Sequence, residues 1–246
     1  RKKGIGVLTG SAVTQVDDRI CDSGSSDVTV RVKTPGGSEL SLETDSVLFA
    51  LGVKPGISAA GIGGLGLRLD GNALRVGDKM ETSEPGIYAV GDINGRQPLA
   101  HTASAQGMIA AMAAAGFETE KLIYENIPRC TYCFPEAAST GLTEAEAGGR
   151  GYEVKTGTFP LSANGKALAS VEKEGFVKIV ADKKTGEVLG VHLAGAHVTE
   201  MIGGMALALK LETTAAELSS AVFPHPTISE SIIEAAHSLT GKAIHF

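Results

Sequence analysis

Apolar positions in this 246-residue chain predict short strands and one helix first, and a second region of strands and helices starts near Ile127. Residues 5–9, 12–17 and 28–33 alternate or cluster Val, Ile and Thr, which predicts short strands. KTPGGSEL (33–40) supplies a hairpin turn at Pro35-Gly36-Gly37. DSVLFALG (45–52) has the length and unbroken apolarity of a fully buried strand. A mostly irregular stretch, 54–72, leads to a second short buried strand at GIYAVGD (86–92). From Leu99 to about Ala115 the residues are small and apolar and favour a helix.

Beyond Ile127, PRCTYCF (128–134) reads as a strand, and LTEAEAGG (142–149) as a helix with Thr143 as N-cap, Glu146 at the capping-box position and a glycine stop. YEVKTGTF (152–159) and GFVKIVADKKTGEVLGVHLAG (175–195) read as strands, the latter two joined by a turn at Asp182–Gly186. Helices are expected at about 197–210, 213–219 and 229–238. Antiparallel hairpins followed by helices describe an α+β layer. Met201, Ile202, Met205, Leu209, Ile232 and Ile233 form apolar faces that one chain alone is expected to expose and a two-fold partner to cover.

Composition narrows the class. Hydrophobic content of 43% and charged content of 20% suit a globular protein. A net charge of −6 argues against nucleic acid as a partner. The most apolar helical stretch, GMIAAMAAAG (107–116), falls short of the roughly 18 residues of a membrane span, so no membrane role is expected. Arg1-Lys2-Lys3 runs into a Gly-Thr-Ser stretch, unlike a signal peptide. Three cysteines, an odd number, argue against a secreted disulfide framework. A cytoplasmic location follows as the expectation. The opening RKKGIGVLTGSAVTQVDD reads as the end of a basic helix entering strands, so the chain is expected to be a piece of a longer protein.

Four motifs bear on chemistry. GIGGLG (61–66) matches G-x-G-x-x-G, but a loop precedes it and no helical pattern follows, so it is read as a loop. CTYC (130–133) on a strand points its thiols to opposite faces, and Cys21 is distant; buried structural thiols are expected, and no metal site. In EPGIYAVGDINGRQPLAHTASAQGMIAA (84–111) a strand ends at Gly91-Asp92 and a helix starts after Pro98. Asp92 is placed to accept a hydroxyl of a ribityl or ribose chain, and Leu99-Ala100-His101 offer helix N-terminal N–H groups to an electron-rich carbonyl. An ordinary strand–loop–helix crossover fits these residues equally well. In AVFPHPTISESIIEAA (221–236), Pro224 and Pro226 fix φ and bias Phe223 and His225 to extended backbone. T-I-S-E then fits a capping box, with Glu230 reaching back to the Thr227 N–H. This is either a catalytic arm or a helix start, and the residues alone lean to the latter.

Several segments together carry a resemblance. TSEPGIYAVGD with LAH (82–101) is similar to the second flavin-contacting segment of the FAD-dependent pyridine nucleotide–disulfide oxidoreductases. IPRCTYCFPEAASTGLTEAEA, GEVLGVHLAGAHVTEMI and FPHPTISESIIEAAHSLTGKAIH are similar to that family's C-terminal interface domain. Within the family the resemblance is to the branch that oxidises dihydrolipoyl groups. Cys133 departs from the usual Y-T-x-P-E by standing where Thr is common, a change not expected to alter chemistry.

The resemblance implies a fold of partial Rossmann-type FAD/NAD-binding segments followed by an α+β interface domain of antiparallel sheet and helices. Residues 1–51 correspond to the tail of the NAD domain, 52–125 to the returning part of the FAD domain and 126–246 to the interface domain. The family's Gly-rich FAD fold, its C-x4-C redox disulfide and its NAD-binding unit are not present in full. The cofactors implied are FAD and NAD, with FAD held weakly or not at all by this chain alone. Implied flavin contacts are Gly91, Asp92, Leu99, Ala100, His101 and Pro224. His225 is implied to reach across a homodimer as acid/base, oriented by Glu230, and its bond to Pro226 to be cis. The implied partners are a second copy and the lipoyl-bearing subunit of a 2-oxo acid dehydrogenase or glycine cleavage complex. The alternatives are a non-catalytic dimerisation fragment, or a parent like glutathione or mercuric reductase.

Overall fold

Period-two alternation builds the first unit of the chain, Arg1–Lys54. In a computed structural model that describes residues 4–20, 26–58, 61–241 and 243–245, strands β1 (Ala12–Ile20), β2 (Ser26–Lys33) and β3 (Glu39–Thr44) form an antiparallel sheet in that order. Val28, Val30 and Val32 of β2 turn to one buried face with Val16 and Val47 against them. The intervening Thr29 and Arg31 reach Glu43 and Asp17 at 2.9 and 3.4 Å. The Pro35–Gly37 turn closes through Thr34 N–H to Ser38 O and Gly37 N–H to Thr34 O, both 2.9 Å.

Two strand expectations fail here. Residues 5–9 are irregular, and Ile5, Val7 and Leu8 are exposed. DSVLFALG is irregular beyond Asp45, with Leu48 and Leu51 each 90% exposed. Both segments have strand composition, but no backbone pairs with them among the described residues, and propensity without a pairing partner does not make a strand. Cys21 lies outside the described residues.

The second unit, Pro55–Phe246, opens with small elements: a hairpin of β4 (Leu69–Asp70) and β5 (Ala73–Leu74), a 3-10 turn at Gly91–Asn94, and helix α1 (Ala100–Ala114). Leu74, Val76, Met80, Ala89 and Ala110 form their core. GIYAVGD is reduced to a single bridge, Glu81 to Tyr88, so the buried strand expected there is absent. Gly61 and Gly66 frame a 3-10 turn at Ile62–Leu65 that leads to a two-residue strand, as a loop reading requires.

The remainder is a five-stranded antiparallel sheet of β6 (Arg129–Thr131), β7 (Glu136–Gly141), β8 (Val154–Pro160), β9 (Phe176–Asp182) and β10 (Val188–Gly195), in the order β6-β7-β10-β9-β8. Helices α2 (Glu144–Gly149), α3 (Gly165–Ala169), α4 (Val198–Lys210), α5 (Ala215–Ser220) and α6 (Glu230–Ser238) complete it, and the class is α+β. Along β9, Val177, Ile179 and Ala181 join the main core while Val180 turns to a second cluster with Leu142 and Ala147. α4 packs across β7 and β10, and α6 across β8 and β9. Phe159, Leu161, Ile179, Ile202 and Ile232 are fully or almost fully buried there, each contributing about 1.5–3 kcal/mol.

This packing corrects the reading of the helix faces. Met201, Ile202, Met205, Leu209 and Ile232 are at most 9% exposed within one chain, and Ile233 is half-buried. The first five face their own sheet, because a two-layer fold has no other cover for that sheet face. α6 can sit so close because β8 carries Gly157, where a Cβ would stand 2.2 Å from the Ala235 carbonyl oxygen. No helix among the described residues is long and apolar enough to cross a membrane.

Candidate active site

Helix α6 starts with the sequence that carries His225. The His225–Pro226 bond is cis, as is Phe134–Pro135. His225 Nδ1 lies 2.9 Å from Glu230 Oε1. A carboxylate only accepts, so Nδ1 carries the proton and the neutral ring presents its lone pair at Nε2. Glu230 Oε2 accepts the Thr227 N–H at 2.8 Å. Only half of the expected capping box is made: the Thr227 hydroxyl donates back to the Pro224 carbonyl at 2.8 Å, and Ser229, in right-handed helical backbone, precedes α6 without a side-chain cap. The hydroxyl turns away because the Pro-His-Pro arm folds its carbonyl within reach. The His225 side chain is 78% exposed and Glu230 30%. Burial pushes the Glu230 carboxyl up, but the Thr227 N–H, the His225 ring bond and the nearby imidazoles outweigh it and leave the group below its ordinary 4.5.

The second cluster surrounds the turn before α1. Gly91 has φ +77°, and a Cβ there would stand 3.2 Å from Ala103 Cβ, so the turn lies against the helix. Buried Gln106 holds it: its Oε1 accepts Gly91 N–H at 2.7 Å and Asn94 Nδ2–H at 2.8 Å, and its Nε2 donates to Tyr124 Oη at 3.0 Å. The Arg96 guanidinium lies 5.6 Å from the Tyr124 ring centroid and donates to the Val76 carbonyl. The result is an exposed Asp92 carboxylate with no hydrogen-bond partner among the described residues. Leu99, the uncapped N-cap of α1, turns its own N–H to the Gln97 carbonyl at 2.8 Å. Among the described residues the N–H groups of Ala100, His101 and Thr102 have no acceptor, and buried Thr102 Oγ1 and Gln97 Nε2 are also unpartnered. The His101 ring donates Nε2–H to the Pro128 carbonyl at 2.8 Å.

The structure thus joins His225 to Glu230, and Gly91-Asp92 to the start of α1. No hydrogen bond or ion pair links these two clusters among the described residues. Pro224 is exposed, and its carbonyl accepts the Thr227 hydroxyl. Cys133 is exposed and Cys130 half-buried. Cys133 therefore departs from the buried thiol expected: β6 ends at Thr131 and Cys133 lies in the turn beyond it. No group of His, Cys, Asp and Glu among the described residues is arranged to hold a metal. Asn94 and Gln106 escaped the sequence reading, although a lone amide in an Ala-rich helix is a signal, since a buried amide must find partners.

Residues 1–107 match the family described as pyridine nucleotide-disulphide oxidoreductase, and residues 127–236 match the family's dimerisation domain. The chain belongs to the pyridine nucleotide-disulphide oxidoreductase family. Among proteins of this family, the dihydrolipoyl dehydrogenase of Rhizobium etli is 39% identical over 99% of this chain and 50% of its own length. That of Zymomonas mobilis is 42% identical over 100% of this chain and 52% of its own. The chain spans about half the length of the curated relatives it matches. The crystal structure of LpdA from Mycobacterium tuberculosis superposes with a TM-score of 0.83 at 29% identity, covering 97% of this chain and 50% of that one. The flavoprotein disulfide reductase RclA from Escherichia coli shares the fold, with a TM-score of 0.79 at 22% identity over 92% of this chain and 49% of its own.

Proposed function

We propose that this chain is the C-terminal part of a dihydrolipoyl dehydrogenase, and that the whole polypeptide oxidises a dihydrolipoyl dithiol with NAD+ through FAD and a redox disulphide. The observation that carries the reading is the 2.9 Å His225–Glu230 pair on a proline-flanked arm. Dithiol chemistry runs through a thiolate, so a base that works near neutral pH must take the thiol proton. His225 Nε2 accepts that proton, the Glu230 carboxylate stabilises the imidazolium and fixes its plane, and Nε2 returns the proton in the reverse direction. The ring's exposure in a single chain supports its delivery into the site of a second copy, and the match to a dimerisation domain supports the homodimer.

Bound FAD supplies a two-electron relay between dithiol and nicotinamide. The residues around α1 fit it in part. The exposed Asp92 carboxylate suits a ribityl hydroxyl, and the free N–H groups of Ala100 and His101 suit an electron-rich ring oxygen. Gly91, Leu99 and Pro224 contribute backbone alone. In this reading residues 1–51 close an NAD domain, 52–125 return to the FAD domain and 126–246 form the interface domain. The physiological partner is the lipoyl-bearing subunit of a 2-oxo acid dehydrogenase or glycine cleavage complex, in the cytoplasm.

The test is turnover by the full-length polypeptide with dihydrolipoamide and NAD+, set beside glutathione disulfide and mercuric ion with NADPH. Dihydrolipoamide is expected to be preferred by at least two orders of magnitude, about the discrimination available to a site built for one substrate. Preference for either alternative substrate would move the protein to another branch.

A further inference from the structure

Asn164 lies 61 positions before His225 in the sequence, is 5% exposed, and touches the arm that carries it. Its Oδ1 accepts the Ala167 N–H at 2.9 Å, capping α3. Both protons of its Nδ2 are spent on the other side: one on the Thr227 carbonyl and one on the Ser231 hydroxyl, each at 3.0 Å. Thr227 and Ser231 bracket Glu230. Thr227 also supplies the N–H that holds Glu230 Oε2 at 2.8 Å, and Ser231 is fully buried in the first turn of α6. One buried amide therefore fastens both flanks of the carboxylate that orients His225.

We infer that Asn164 is a positioning residue for the His225–Glu230 pair, acting through Thr227 and Ser231. The inference rests on the acid/base reading of His225. A helix cap needs only Oδ1, and Ser serves as well as Asn in that role. The two Nδ2 bonds go beyond capping. They tie a short proline-rich arm, whose own ring is mostly exposed, to a β8–α3 connection anchored by buried Leu161 and Asn164. Without them the Thr227 carbonyl and Ser231 hydroxyl lose a donor each, and the Thr227 N–H that holds Glu230 Oε2 sits on an arm with less to anchor it. An acid/base displaced by about 1 Å loses up to ~10²-fold in rate.

Asn164→Ser separates the two roles, because it keeps the Oδ1-type acceptor for Ala167 and removes the reach to Thr227 and Ser231. Asn164→Asp is the second variant: it keeps size and cap and turns a donor into a repelling carboxylate. The readout is the ring tautomer of His225 by long-range 1H–15N correlation in the 246-residue chain at a pH where the ring is neutral. Wild type is expected to hold the Nδ1–H form, and Glu230→Ala to release it toward the Nε2–H form that a free imidazole favours. Both Asn164 variants should show at least half of that release. An unchanged tautomer in either folded variant overturns the inference and leaves Asn164 a cap. In the full-length polypeptide, Asn164→Ser should lower kcat with dihydrolipoamide roughly 10–100-fold with KM within about twofold. A released ring with undiminished kcat would refute the acid/base reading and leave the positioning contact standing.

Discussion

Glu234 grips His245 through the same ring nitrogen by which Glu230 grips His225, one turn further along α6. The Glu234 Oε1 to His245 Nδ1 distance is 2.7 Å, and Glu234 Oε2 also accepts the Ile244 and His245 N–H groups at 2.9 and 3.3 Å. The first turn of α6 thus holds a loop ahead of it, and the next turn holds the tail behind it.

Acid should release that tail. Burial raises the Glu234 carboxyl, but the His245 ring bond, the two N–H groups and the imidazole charge outweigh it, leaving the group below its ordinary 4.5. A carboxyl depressed in the folded state adds stability above its unfolded value and loses it as pH falls through the folded value. Amide protection factors at Ile244 and His245, taken against the intrinsic exchange rate at each pH, should therefore hold down to pH 4.5 and fall below it. Glu234→Gln should speed it about tenfold at neutral pH. Tail protection that ignores both acid and this substitution would show that other contacts hold the tail.

Gly157 sets how close α6 comes to the sheet. A Cβ there would stand 2.2 Å from Ala235 O, 2.7 Å from Ser238 Oγ and 2.8 Å from Leu239 Cγ. Two of these belong to the helix and one to its C-cap, so relief requires moving the element that carries Glu230. Gly157→Ala should cost about 1–3 kcal/mol in urea unfolding, the range for overpacking. A midpoint at or above wild type would mean that the helix yields freely.

The 246-residue chain should purify without stoichiometric flavin. Asp92 and the start of α1 offer part of a site, and its G-x-G-x-x-G is a 3-10 turn without the strand-to-helix geometry that meets a pyrophosphate. In the full-length polypeptide, Asp92→Asn should weaken FAD retention roughly 10–100-fold, the worth of a charge-assisted hydrogen bond. Tight flavin absorbance in the isolated chain, or unaltered retention in Asp92→Asn, would contradict this placement.

What was legible in the sequence was local. The α2 capping box spans Thr143 to Glu146 and forms as expected, with Thr143 N–H and Oγ1 both donating to Glu146 Oε2. The Glu230 reach to Thr227 is similarly short. β7, by contrast, is EAASTG, with one β-branched residue; it is a strand because β6 and β10 pair with it on both sides. DSVLFALG shows the opposite failure: apolarity states a demand for cover without saying what covers it. Asn164 and the short helix it caps escaped the sequence reading; its bonds to Thr227 and Ser231 span 63 and 67 residues, and no local pattern encodes them. The family resemblance supplied what local rules could not, a use for His225.

That use gives the most direct prediction. In the full-length polypeptide, His225→Gln should lower dithiol turnover about 10²–10⁴-fold, the usual effect of losing a positioned acid/base. Glu230→Gln should lower it less, because Gln still offers an oxygen to the Nδ1 proton but no charge to balance the imidazolium. Both variants should keep FAD, since Nε2 points away from Glu230 and the contacts proposed for the flavin lie mainly around Asp92 and α1. The pH profile decides between a proton-transfer role and a packing role. A base that must be neutral gives a limb in kcat/KM with dihydrolipoamide that His225→Gln abolishes, whereas a packing defect scales the profile without changing its shape. Turnover in His225→Gln within about twofold of wild type, far above the level expected on losing an acid/base, would return this histidine to the helix-start role that its prolines and T-I-S-E motif first suggested.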